Sequence, residues 1–199
     1  MGAFAQLAPQ TPAPLAAHLQ EVNAQWTVQD PAPAGGDRVV SFENDAQRIA
    51  EHLHRVRTTL ASRTPEGLSA EQMAARTALL EDLDRYADRG RFPQNLVLPY
   101  RNPVFIDPQH TACAVGQLMI ESGDAALAER ISRDMNLGYV HELVQEPVLG
   151  PAIGTWATEH GFTADELAWI QPAYNPAFTW DPLGGGTDAR VTTLLKLAN

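Results

Sequence analysis

Apolar residues recur at helical spacing through the middle of the chain. Ile49, Leu53, Val56 and Leu60 lie four, three and four residues apart, which puts them on one face of a helix over 45–62. Asn44 or Asp45 supplies its cap, and Pro65 and Gly67 prevent its continuation. Ser69-Ala70-Glu71-Gln72 is a capping box, in which the serine and glutamine side-chain oxygens each accept a backbone N–H that the first turn leaves unpaired. It opens a second helix with Met73, Leu80, Leu83 and Tyr86 or Ala87 inward and Gly90 as its stop. The short loop between the two helices predicts an antiparallel pair.

The texture then changes. Asn95-Leu96-Val97-Leu98-Pro99-Tyr100 and Pro103-Val104-Phe105-Ile106-Asp107 are short, rich in strand-forming residues and bounded by proline, so they predict two small edge strands. Residues 111–122 follow as the most apolar helix, with Gln117 its only strongly polar interior residue, and such a helix belongs at the centre of the domain. Gly123 ends it. Asp124 caps the next helix, which carries Leu127, Ile131 and Met135 at spacing four. A short helix near 139–145 precedes one over 149–160 that carries Ile153 and Trp156 and stops at Gly161. Thr163-Ala164-Asp165-Glu166 is a second capping box, and its helix, through Leu167, Trp169 and Ile170, is closed by Pro172.

The two ends read differently. Pro9, Pro12, Pro14, Pro31, Pro33 and Gly35-Gly36 interrupt residues 1–36. Leu15, Leu19, Val22 and Trp26 share one face of a short helix there, but the segment as a whole predicts an arm that packs loosely or is partly disordered. Pro176, Pro182 and Gly184-Gly185-Gly186 predict a similar tail over 175–199, with 191–197 as a last segment able to dock. Trp156, Trp169, Tyr174, Phe178 and Trp180 gather late in the chain and predict core packing with an aromatic clasp on the tail. The single helical domain is therefore expected over 37–174. The expected fold is mainly α, an irregular bundle of about six to seven helices with a small two-stranded β element before the central helix.

Composition narrows the function classes. Of 199 residues 44% are hydrophobic and 19% charged, enough apolar surface for a packed core. The net charge is −10, and of the 14 basic residues all but Lys196 are arginine. An acidic chain without a basic stripe argues against nucleic acid as a partner. No apolar run approaches the ~20 residues of a membrane span. Ala3-Phe4-Ala5 followed by Gln6 matches the small-x-small pattern of a signal-peptidase site and predicts export to the periplasm or beyond the cell.

Candidate chemistry centres on 107–116. With Thr111 as N-cap, Cys113 falls in the first turn, where unpaired N–H groups and the macrodipole favour the thiolate. His110 stands three residues before it, His141 and His160 can fold back as bases, and Arg101, Asn102 and Asp107 approach on the preceding strand. Two readings follow. Cys113 is a nucleophile for acyl or thiol chemistry, with His110 or His141 as proton acceptor and Arg101 or Asn102 holding an oxyanion or carboxylate. Alternatively, Cys113 is a small buried hydrophobe among Ala112, Ala114 and Val115. The turn, with Arg101, Asn102, Asp107 and Thr111, then receives a small molecule or a protein partner, and this is the reading adopted. No metal site is expected: His52 and His54 face different directions on a helix, and His110 with Cys113 lacks a second pair of ligands. No cofactor is expected either, since Cys-x-x-Cys-His and the Gly-rich nucleotide loops are absent.

The runs Arg101-Asn102-Pro103-Val104-Phe105-Ile106-Asp107 and Thr111-Ala112-Cys113-Ala114-Val115-Gly116, with the later Gly161-Phe162-Thr163-Ala164-Asp165-Glu166-Leu167-Ala168 and Ile170-Gln171-Pro172-Ala173-Tyr174, carry a resemblance. Together they resemble a family of exported bacterial proteins of the kind seen in Bacteroidetes, over roughly residues 92–174. His110 stands where the family pattern has glycine. The resemblance implies export and one continuous domain; it implies no particular activity.

Overall fold

The computed structural model describes residues 11–178. In chain order its elements are β1 (Ala13–Pro14), α1 (Leu15–Val22), α2 (Trp26–Gln29), β2 (Val39–Val40), α3 (Asp45–Ser62), α4 (Ala70–Arg89), α5 (Ala114–Glu121), α6 (Ala125–Met135), α7 (Val140–Leu143), α8 (Leu149–Glu159) and α9 (Ala164–Ile170). The Ala3-Phe4-Ala5 pattern, Trp180, Pro182, the glycine triplet at 184–186 and segment 191–197 lie outside the described residues. Among the described residues, no helix is long and apolar enough to cross a membrane.

Local signals set the helices. Asn44 caps α3, its side chain accepting from Gln47 N–H at 2.9 Å. The Ser69/Gln72 and Thr163/Glu166 boxes are both closed, and Gly90 ends α4 in the left-handed region at φ 60°. The Ile49, Leu53, Val56 and Leu60 stripe is buried against α4. Met73 does not join it and is 40% exposed. Arg76 takes the inward position instead. Its guanidinium donates to Leu60 O at 3.0 Å, Gly161 O at 2.7 Å and Glu166 Oε1 at 2.7 Å, and lies over the Phe162 ring at 4.9 Å. Both terminal nitrogens of this buried arginine are paired, while its Nε has no hydrogen-bond partner among the described residues.

The two-stranded sheet lies near the N-terminus, not before the central helix. β1 pairs antiparallel with β2, Ala13 opposite Val40 and Pro14 opposite Val39. The extended stretch 95–107 makes only isolated bridges: Asn95 with Pro176, Asn102 with Tyr174, Ile106 with Ala112. Proline removes backbone donors at 99 and 103. Side-chain amides replace a partner strand: Asn136 Oδ1 accepts Ile106 N–H at 2.8 Å and its Nδ2 donates to Ile106 O at 3.0 Å.

Residues 13–36 are not a loose arm. Leu15, Leu19, Val22 and Trp26 are buried in the main core, so apolar burial outweighs the proline interruptions. The prolines and glycines turn the chain back along itself, with Leu15 N–H donating to Arg38 O and Ala16 N–H to Gly36 O, both at 2.9 Å. The body likewise runs past 174, since Ala177 N–H donates to Asn95 O at 2.8 Å. Trp26 meets Trp169 of α9 edge-on at 4.9 Å and donates its indole N–H to His52 Nδ1 of α3 at 2.8 Å.

That bond leaves the His52 proton on Nε2 and requires a neutral ring. Burial lowers its pKa from 6.5 to about 3, partly opposed by the Ile170 carbonyl and reinforced by the Arg101 charge. The unfolded chain takes up a proton here between pH 6.5 and 3 that the folded chain refuses. Stability is therefore lost as pH falls through that window, by about 1.4 kcal/mol per unit from this group. Urea titrations at pH 7 and pH 5 should show the loss in the parent chain and a smaller one in His52→Gln. Equal losses in both would contradict this assignment.

Candidate functional site

The turn before α5 is built around one carboxylate. Asp107 is buried, and its Oδ1 accepts from Gln109 N–H at 2.9 Å and Thr111 N–H at 2.8 Å, while Oδ2 accepts from Gln94 N–H at 3.1 Å. Asp107 N–H donates to Thr111 O and His110 N–H to Asp107 O, so 107–111 closes on itself. His110 sits in it at φ 58°, the region glycine occupies without cost. Asp107 is thus the template of the turn, and its oxygens are engaged by backbone.

Thr111 is not the helix cap. Its backbone is committed to the turn, Cys113 N–H donates to Phe105 O at 2.7 Å, and α5 starts at Ala114. Cys113 itself is the N-cap, its sulfur accepting from Gly116 N–H at 3.4 Å. A Cβ at Gly116 would meet the Phe105 ring at 3.0 Å, a tight approach that a larger residue makes only if the ring shifts. The capping contact favours a thiolate, but burial is the larger effect. Cys113 is 0% exposed, and its pKa is pushed up to about 12. The thiol is therefore neutral, against the low-pKa thiolate that the nucleophile reading of Cys113 needs.

The thiol shares its enclosure with two phenols. Tyr86 donates to Ala112 O at 2.8 Å, and the Tyr174 hydroxyl lies against it. Burial raises both tyrosines well above 10, and the neighbouring Cys113 adds to the rise in each. A proton is held on all three groups because burial outweighs the opposing charges, Arg89 at Tyr86 and Arg101 at Tyr174.

The candidate bases do not converge on this sulfur. His110 and His141 are exposed; His141 stacks on Tyr139 at 5.4 Å. His160 Nδ1 meets Trp156 O at 2.8 Å and its ring stacks on that indole at 4.7 Å. Asn102 is a pin, its backbone paired with Tyr174 and its Nδ2 donating to Pro103 O and Leu137 O. Arg101 is drawn away to the start of α3, where Nη1 donates to both oxygens of Asp45 at 3.0 and 3.2 Å. Among the described residues, no group of three or more His, Cys, Asp or Glu side chains is placed to hold a metal ion.

What the turn does present is a surface hollow. Tyr86, Arg89, Arg91, His110, Thr111, Ala112 and Gln117 line a space of about 250 Å³. Arg89, Arg91 and His110 are exposed, and none makes an ion pair among the described residues. Arg89 lies over the Tyr86 ring at 5.7 Å. Arg89 and Arg91 carry no motif; only the fold brings them to His110.

Iodoacetamide at pH 8 should leave Cys113 unmodified in the native chain and modify it fully in urea. A native labelling rate that titrates well below the free-thiol value of about 8.5 would contradict the buried neutral thiol. No protein-family model matches the chain, and neither does a curated protein or a solved structure.

Proposed function

We propose that the protein is a small-ligand-binding domain whose site is the hollow beside the 107–111 turn, and that the group it receives there is an anion. One observation carries this reading. Two arginines and a histidine converge on one hollow with no carboxylate among its lining residues, in a chain of net charge −10. Such a patch is unfavourable by self-repulsion unless a counter-charge visits it. Thr111 and Gln117 add neutral hydrogen-bonding groups at its wall. The thiol-enzyme alternative is less well supported, because the sulfur is buried away from the two exposed histidines. We also propose that the domain works in the periplasm or outside the cell. The Ala3-Phe4-Ala5 pattern and the resemblance to exported bacterial proteins support that placement.

Inorganic phosphate is a suitable first probe. It should bind the parent chain saturably and more weakly as salt is raised. The double variant Arg89→Ala/Arg91→Ala, at two exposed positions, should keep its melting temperature and bind phosphate at least tenfold more weakly. Unchanged affinity in the double variant, or no binding by the parent, would overturn the proposal.

A further inference from the structure

Four charges run in a chain across the junction of α1, α3 and the 99–103 segment. Asp45 has no exposed surface; its Oδ1 accepts from Arg48 Nε at 2.9 Å, Arg48 Nη2 at 2.6 Å and Arg101 Nη1 at 3.0 Å. Arg48 Nη1 continues to Glu21 at 2.5 Å. Arg101 is thus held by one nitrogen. Its Nε and Nη2 are closed off from solvent and have no hydrogen-bond partner among the described residues. Two unpaired donors on a buried cation are costly, so the arrangement calls for an acceptor.

Arg101 also lines a cavity of about 160 Å³ between α1, the turn after it, α7 and the end of α9. The buried amides in the wall have little left to offer a guest. Asn23 Nδ2 donates to Ala168 O, Trp169 O and Gln171 O at 2.8–2.9 Å, and its Oδ1 accepts Gln25 N–H at 2.7 Å. Gln171 Oε1 accepts Val140 N–H at 2.9 Å, and its Nε2 donates to Gly138 O at 3.1 Å. A guest must therefore bring acceptors and negative charge. Two coplanar oxygens match the Nε–Nη2 edge of a guanidinium.

We propose that this cavity is a second ligand site, separate from the hollow at the turn, and that it takes a small monocarboxylate whose two oxygens are received by Nε and Nη2 of Arg101. The size is right for a short chain or a single ring, since a cavity of about 150 Å³ accommodates benzene. Glu21, also on the wall, carries a half-exposed carboxylate that disfavours a second negative charge on the guest. Exposed Tyr139, whose ring stacks on His141, lines the same cavity near Arg101.

The test follows the Arg101 Nε–H resonance in the full chain during titration with propionate, with propionamide as the neutral match in size. Propionate should shift that resonance saturably at millimolar concentration, and propionamide should bind at least tenfold more weakly. Ala168→Leu fills the cavity wall without touching Arg101 or Asp45; it should weaken propionate at least tenfold while leaving the ligand-free Arg101 signal in place. No saturable shift with propionate, an equal response to propionamide, or undiminished binding in Ala168→Leu would each overturn the proposal.

Discussion

A carboxylate with no exposed surface sits where three parts of the chain meet. Asp45 is the first residue of α3, and its oxygens are shared by Arg48, one turn on, and by Arg101, fifty-six positions away. Through Arg48 the charge chain reaches Glu21 of α1. Burial of this carboxylate costs several kcal/mol in desolvation and is repaid only while the arginines keep their geometry. The N-terminal segment, the α3–α4 pair and the extended stretch before α5 are thereby obliged to take one relative position. The same arrangement leaves Nε and Nη2 of Arg101 unpaired and closed off from solvent, on a side chain that lines the α1–α9 cavity.

A second constraint follows from the lack of a partner strand for 95–107. Asparagine and aspartate side chains satisfy its backbone instead: Asn95 for 97 and 98, Asn136 for 106, Asp107 for 109 and 111. Most of these bonds close over two to four residues, and Asn136 ties the stretch to the end of α6 thirty positions on, so its backbone is satisfied without a sheet. That arrangement places His110 beside Arg89 and Arg91 at the surface while sealing Cys113, Tyr86 and Tyr174 inside. Exposed cations and an enclosed neutral trio a few residues apart divide the region into a face that can receive charge and a core that cannot.

Much of the helical architecture was legible because its signals are local. The two capping boxes, the Asn44 cap, the Gly90 stop and the 49–60 stripe depend on residues within one or two turns. Burial of Arg76 was not legible, since its partners Gly161 and Glu166 lie far off in sequence and an arginine breaks an apolar pattern. Residues 15–26 showed their stripe plainly, but the surrounding prolines suggested looseness where they in fact direct a return of the chain. The start of α5 was misplaced by two residues because Thr111 is a better intrinsic cap than Cys113, and the Asp107 turn had already claimed it. Of the candidate site, Arg101, His110 and Thr111 were visible as polar residues around an apolar helix. Arg89 and Arg91 were not, because on a solvent-facing run of charges nothing marks which cations the fold will gather.

The claim that Asp45 and Arg101 hold the junction together is tested most directly by a double-mutant cycle on unfolding free energy. Asp45→Asn and Arg101→Gln should each cost about 3–5 kcal/mol, since each strands a buried charge. Their combination should cost less than the sum by about 1 kcal/mol or more. Additive losses, or single variants as stable as the parent, would contradict the account.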